Sequence, residues 1–162
     1  MMNTETSISV TRTIDAPAKD IFEVLTLPAR HHEFDGSGTV RAADDTERIT
    51  KSGEKFVMNM NGEHMGGDYR THNFVTAYDE NKMIGWQPAP EGEDGSAPEG
   101  PLGWEWLYTL EAVDANTTDV TLTYSWDKVT DQELLKKVSF PLFSSEQLEE
   151  SLNLLAAAVT NA

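Results

Sequence analysis

The chain has 162 residues, of which 38% are hydrophobic, 9% aromatic and 25% charged, as in an ordinary globular protein. Its 28 acidic residues outnumber 12 lysines and arginines, which gives a formal net charge of −16. Such an acidic surface repels phosphate backbones and anionic lipid headgroups, so we expect neither nucleic acid nor membrane as a partner. Cysteine is absent, which excludes disulfides, thiolate metal sites and cysteine nucleophiles. Because neither a signal peptide nor a membrane-length apolar run is visible, we expect a cytoplasmic protein with a single domain over residues 1–162.

The first quarter of the chain predicts one strand and two short helices. Residues 7–14 alternate between apolar and polar side chains, which indicates a half-buried strand. Asp15 can cap the following helix, with Pro17 in its first turn. A second short helix is expected over residues 29–34, before the Asp-Gly-Ser-Gly turn at 35–38.

The middle of the chain, residues 38–127, has the pattern of consecutive strands. A short strand is expected at 82–87, and the acidic, proline-rich and glycine-rich residues 88–103 predict a mobile surface loop. Two strands are the clearest, at 104–110 and 120–126, because large apolar or aromatic side chains recur at every second position along both.

The end of the chain predicts one long helix. Ser144 and Gln147 match a capping box, and an apolar stripe follows at helical spacing. The stripe consists of Leu148, Leu152, Leu155 and Val159. One strand, two short helices, about six strands and a terminal helix predict an α+β fold in which the helix crosses an antiparallel sheet.

Six segments, spread over nearly the whole chain, carry a resemblance to a known family: 14–17, 21–25, 30–38, 53–58, 83–86 and 140–141. They resemble the START-related helix-grip superfamily of polyketide cyclases/dehydrases and lipid-transport proteins, in particular its small actinobacterial members. The resemblance implies a curved antiparallel sheet of about seven strands wrapped around the C-terminal helix, with a ligand cavity between them. It leaves the activity open, since the superfamily contains carriers, cyclases, hydroxylase subunits and chaperone cofactors.

Strand alternation predicts which side chains face that cavity. Trp104, Trp106 and Tyr108 share one face of their strand with Leu110, and Tyr124 and Trp126 share a face of the next strand with Val120 and Leu122. Both rows are expected inward, because the opposite faces carry charges and hydroxyls. The expected ligand-binding residues are Phe56, Met58, Met60, Tyr69, Thr71, Asn73, Trp104, Trp106, Tyr108, Tyr124, Trp126, Phe143, Leu148 and Leu152. The same aromatics could instead fill a dry core, whereas Trp86 is expected nearer the rim.

The strand at 69–78 has two possible inner faces. Burial of Asp68 and Arg70 costs more than burial of Thr71 and Asn73, so Tyr69, Thr71, Asn73, Val75 and Ala77 are expected inward. His72 and Tyr78 would then lie outside. A bulge would invert this assignment.

No catalytic constellation can be assembled from the remaining residues. His31 and His32 fit a helix surface and His64 a solvated turn, while Asp35 with Ser37 is a weak acid–base candidate that fits a structural turn better. Arg12 and Arg70 could pair with acids across the sheet. No spacing typical of a metal site, serine hydrolase or nucleotide-binding loop occurs, so neither metal nor cofactor is expected.

Three functions remain open. The first is binding of a hydrophobic small molecule such as a lipid, polyketide, quinone or aromatic metabolite. The second is a cyclase/dehydrase-type enzyme, in which Tyr108, Tyr124 or Asn73 polarises a carbonyl and a histidine relays a proton. The third is an interaction module resembling the activators of the Hsp90 ATPase, which would need an exposed apolar patch. Absence of a catalytic motif favours the first.

Overall fold

The computed structural model describes residues 6–36, 38–44, 47–63, 66–92, 94–137, 140 and 143–160. The strands and helices of these residues follow one another in an order close to the predicted one. They are β1 (Ser7–Ile14), α1 (Ala18–Leu25), a 3₁₀ helix (Pro28–Glu33), β2 (Val40–Ala43), β3 (Lys55–Gly62), β4 (Gly67–Asp79), β5 (Met83–Pro90), β6 (Glu105–Asp114), β7 (Thr117–Ser125), α2 (Gln132–Lys137) and α3 (Ser145–Thr160).

The strands form one antiparallel sheet in the order β1-β7-β6-β5-β4-β3-β2. Helix α3 crosses one face of this sheet and contacts β1 and α1. The predicted α+β helix-grip fold is therefore confirmed, including the two short helices after the first strand. Helix α2 was not predicted, because its six residues are too few to display a helical period. None of the helices in the described part of the chain has the length and apolar composition that a bilayer-spanning helix requires.

The neighbouring strands β1 and β7 show why the apolar face turns toward α3. On the inner face, Val10 pairs with the fully buried Leu122. On the outer face, the hydroxyls of Ser9 and Thr123 hydrogen bond at 2.8 Å. Strict alternation therefore buries one face and leaves a row of hydroxyls on the other, as the sequence predicted.

Strand β4 changes face at a bulge. Val75 pairs with Trp86 and Ala77 with Gly85, so Thr76 is an extra residue in the ladder. Beyond it Tyr78 packs edge-on against Phe22 of α1, with ring centroids 5.4 Å apart. The predicted outward position of Tyr78 is therefore wrong, because the bulge reverses the alternation for the last residues of the strand.

Strand β5 is longer than predicted. It continues through Pro88 and Pro90, which the sequence assigned to a mobile loop. Its pairing with β6 ends at Trp86, so the backbone of the last four residues pairs only with β4. Prolines are tolerated at such a strand edge because no second neighbour requires their missing N–H. The loop therefore begins at Glu91.

Two helix-start predictions have opposite outcomes. The capping box of α3 is confirmed, since the Ser144 N–H donates to Gln147 Oε1 at 2.9 Å and the Gln147 N–H to Ser144 Oγ at 3.3 Å. The cap at Asp15 is wrong, because the N-cap of α1 is Pro17 and no side chain caps it. The stripe of α3 is buried at Leu148, Leu152 and Leu155, and Val159 packs beside it half-buried.

Candidate functional site

A cavity of about 170 Å³ lies between the sheet and α3. Its walls come from β2 to β6, from the 3₁₀ helix and from the first half of α3, so both the sheet and the helices contribute to the lining. Most of the predicted ligand-binding residues line it. They are Phe56, Met58 and Met60 of β3, Tyr69, Thr71 and Asn73 of β4, Trp104, Trp106 and Tyr108 at β6, and Phe143 and Leu148 at α3.

Three predicted site residues point inward without lining the cavity. Tyr124 is fully buried and stacks on Trp106, with ring centroids 4.4 Å apart. Trp126 packs against Tyr124 and stacks on Phe140, with ring centroids 5.3 and 6.2 Å away. Leu152 is buried in the core under α3. Tyr124 and Trp126 therefore contact lining residues without lining the cavity themselves.

Several lining residues were not predicted. Trp86, Pro88 and Pro90 alternate along β5, and that period of two is the signal that extends the strand past its prolines. Trp86 is 8% exposed and lies deep in the molecule, so its predicted place at the rim is wrong. The other unpredicted lining residues are His31, Phe34, Asp35, Thr39, Val40, Phe140, Gln147 and Ser151.

We call the part of the cavity wall formed by the buried rings of His31, Trp86, Phe34 and Phe56 the deep end. His31 contacts the other three rings there, so its predicted place on a helix surface is wrong. It is 4% exposed, and its ring stacks on Trp86 with centroids 4.9 Å apart. Its edges meet Phe34 and Phe56 at 5.1 and 5.2 Å. A 3₁₀ helix has three residues per turn, so Pro28, His31 and Phe34 fall on one face and are buried together. His32, one position on, is exposed.

The imidazole of His31 is neutral at neutral pH. Burial lowers its pKa to about 4, because the charged form would lose its hydration. Its Nε2 lies 2.8 Å from the Leu25 carbonyl oxygen, which only accepts, so Nε2 carries the proton. The Nδ1 atom is therefore an acceptor.

Tyr108 presents a neutral phenol to the same end of the cavity. Burial raises the pKa of Tyr108 far above its ordinary value, and the nearby Asp35 carboxylate raises it further. The ring packs edge-on against Phe34 at 5.9 Å and stacks on Trp86 at 5.9 Å. Phe34 and Trp86 therefore each contact both Tyr108 and His31, so these four side chains form one aromatic cluster.

The other polar residues of the lining are already engaged within the protein. Oδ2 of Asp35 accepts the Val40 N–H at 2.8 Å. Thr39 hydrogen bonds to Tyr69, whose pKa is raised by burial. The amide of Asn73 lies 3.4 Å from the Phe56 carbonyl oxygen. These contacts fix the walls of the cavity.

His72 lies on the opposite face of the sheet, as predicted, yet it is buried there. Its Nε2 is 2.8 Å from Oε2 of Glu91, and Arg70 contacts the same carboxylate at 3.1 Å. Arg70 also pairs with Asp44, so the expected pairing of Arg70 with acids is confirmed. Arg12 is different, because it donates to the amide oxygen of Asn153 on α3 at 2.8 Å.

Two residues weighed for chemistry, Ser37 and His64, lie outside the described residues.

The family model described as activator of Hsp90 ATPase homolog 1-like protein matches residues 15–160. The chain belongs to this family. It is 32% identical over 119 residues to the uncharacterized protein Rv0088 of Mycobacterium tuberculosis, an alignment that covers 72% of the chain and 47% of Rv0088. The chain thus spans about half the length of the curated relatives it matches.

Solved structures with low sequence identity share the fold of this chain. A START superfamily protein from Mycobacterium smegmatis superposes with a TM-score of 0.61 at 13% identity, covering 97% of this chain and 99% of the other. The ZhuI aromatase/cyclase from Streptomyces sp. R1128 superposes with a TM-score of 0.59 at 15% identity, covering 95% and 93%. The predicted START-related helix-grip fold is confirmed.

Proposed function

We propose that the protein binds a hydrophobic small molecule in the cavity between the sheet and α3. The observation that carries the proposal is the cavity itself, about 170 Å³ left open beneath the helix. Protein interiors normally pack to a density that leaves few voids larger than a water molecule. An engineered apolar cavity of about 150 Å³ binds benzene, so the present volume suits a compact ring system.

The composition of the wall supports the same proposal. Its large surfaces are aromatic and its polar groups are few, as in typical small-molecule sites. Trp104 and Phe140, with ring centroids 6.0 Å apart, are half-buried lining residues. The volume of about 170 Å³ favours a quinone or aromatic metabolite over a lipid or extended polyketide.

Tryptophan emission tests the proposal, because an apolar ligand in the cavity would contact indoles. Titration with flat aromatic polyketides, small aromatics and fatty acids is expected to give a saturable change for at least one apolar class. Trp106→Phe should reduce that change, since Trp106 lines the cavity. Trp126→Phe is the matched control and should retain it. A lack of saturation with every class would contradict the proposal.

A cyclase/dehydrase-type activity is the second candidate, favoured by the phenol of Tyr108 in the cavity and by the likeness to an aromatase/cyclase. Tyr108 or Asn73 would polarise a substrate carbonyl. The activity ranks second because a histidine with a pKa of about 4 is a weak base at neutral pH. Incubation with a poly-β-keto thioester, followed by mass spectrometry, tests it: loss of water from the substrate would support the enzyme.

Activation of an Hsp90 ATPase is the remaining alternative, and the family description is its support. Among the described residues, the large hydrophobic side chains with high exposure are Val113 and Leu135. Stimulation of Hsp90 ATP hydrolysis by the purified protein would favour this alternative over ligand binding.

A further inference from the structure

Two polar atoms at the deep end of the cavity are without a partner. Nδ1 of His31 and the hydroxyl of Tyr108 have no hydrogen bond to any described residue. Among the described residues, Nδ1 of His72, on the other face of the sheet, is the side-chain nitrogen or oxygen that is both completely buried and without a partner. The two lining atoms also lack partners, but they are not completely buried. The two atoms of the lining are therefore accessible from the cavity, where a ligand can satisfy them.

The two atoms are complementary. His31 offers a lone pair, because its proton is on Nε2 and bonded to Leu25. Tyr108 offers an O–H. A ligand hydroxyl can serve both at once, since it donates one hydrogen bond and accepts another. Trp86 and Phe34, which contact both rings, supply flat surfaces for the ring that would carry this hydroxyl.

The charged residues of the lining further restrict the class of ligand that the cavity can bind. Among the described residues that line the cavity there is neither Lys nor Arg, while Asp35 contributes a carboxylate. An anionic group entering this site would lose its hydration without gaining a counter-ion. A fatty acid or aromatic carboxylate is therefore disfavoured.

We propose that the ligand is an uncharged planar aromatic molecule with a phenolic or enolic hydroxyl, which donates to Nδ1 of His31 and accepts from the hydroxyl of Tyr108. This inference rests on the proposed function and specifies its ligand class. The volume of about 170 Å³ corresponds to a small ring system.

Calorimetric titration with toluene, p-cresol and p-toluate separates the parts of this proposal. The three probes share one ring and differ in having no polar group, a hydroxyl or a carboxylate. We expect p-cresol to bind at least as tightly as toluene, because its hydroxyl finds two partners in the cavity. The p-cresol hydroxyl is hydrated in water, so its burial without partners would instead make p-cresol bind more weakly than toluene. We expect p-toluate to bind more than about tenfold more weakly than p-cresol.

Tyr108→Phe removes the donor and keeps the ring. It should weaken p-cresol binding by about fivefold to tenfold and leave toluene within about twofold. Tyr124→Phe deletes the same atom from a tyrosine that does not line the cavity, and it should change neither affinity. Circular dichroism of both variants checks that they fold.

The outcomes distinguish the two proposals. Binding of toluene with weaker binding of p-cresol to the unaltered protein would overturn the hydroxyl inference and leave the proposed function standing. Equal losses for p-cresol and toluene in Tyr108→Phe would also overturn the inference. If neither toluene nor p-cresol binds, the inference is overturned, and the proposed function then stands or falls with the tryptophan titration of the other apolar classes.

Discussion

The backbone N–H of Gly36 donates a 2.8 Å hydrogen bond to Oγ of Ser151 on α3. The approach is so close that a Cβ on Gly36 would lie 2.2 Å from the carbonyl oxygen of Gln147 and 2.7 Å from the Ser151 nitrogen. This contact joins the turn after the 3₁₀ helix to α3. It therefore sets the distance between two walls of the cavity.

Gly36→Ala should consequently destabilise the protein by more than about 2 kcal/mol, because backbone must move to admit the methyl group. Gly100→Ala is the matched control: a Cβ there has no atom within 4 Å. Its effect should lie within about 0.5 kcal/mol. Urea unfolding of both variants measures the difference, and equal effects would show that α3 does not rest on the turn.

Leu152→Ala should be among the most destabilising changes in α3. Leu152 is 1% exposed, and truncation of a buried leucine costs about 2–5 kcal/mol. Asn153→Ala, on the exposed side, removes a solvent-exposed bond from Arg12 and should cost less than about 1 kcal/mol. Thermal and urea unfolding give both values. Similar losses for the two variants would mean that the helix docks by another face.

Much of the cavity wall could be predicted, because strand alternation is a local property. Trp106 and Tyr108 face α3 since Glu105 and Thr109 cannot be buried cheaply beside them. The same rule failed at Tyr78, because a bulge is decided by the pairing of β4 with β5 rather than by the sequence of β4. The predicted strand also ended too early, before Pro88. Prolines fit there because the pairing of β5 with β6 ends at Trp86, and the end of a strand pairing is a tertiary feature that local sequence does not show.

The deep end could not be predicted for a different reason. A histidine beside a second histidine gives no sign of burial, and the three-residue spacing from Pro28 to Phe34 becomes meaningful only once the segment is known to be a 3₁₀ helix. The stacking of His31 on Trp86 joins residues 55 positions apart in sequence, about which local periodicity says nothing.

The acidic loop should be dispensable only after Glu91. Residues 94–97 are exposed, so replacement of 94–98 by a Gly-Ser turn should change the unfolding free energy by less than about 0.5 kcal/mol. Glu91→Gln should cost about 1–3 kcal/mol, because it removes the carboxylate shared by Arg70 and the buried His72. Chemical denaturation compares the two. A large loss from the loop replacement would show that the loop packs onto the molecule.

The last prediction concerns the pH dependence caused by His31. Its pKa is about 4 in the folded protein and near 6.5 when unfolded, so the unfolded state binds the proton more readily. The stability linked to this group is fully present above about pH 6.5 and is lost as the pH falls toward 4. Between pH 7 and pH 5 the loss should be about 2 kcal/mol.

His31→Gln isolates this contribution, because glutamine can donate to the Leu25 carbonyl but does not titrate. Urea unfolding at pH 7 and pH 5 should show the unaltered protein losing about 2 kcal/mol more than the variant, whatever the variant's stability at pH 7. All other titrating groups are common to both proteins and cancel in the comparison. His32→Gln, at an exposed position, should retain the full loss. Parallel losses in the unaltered protein and His31→Gln would mean that His31 is protonated without cost, which is incompatible with an imidazole enclosed by Trp86, Phe34 and Phe56.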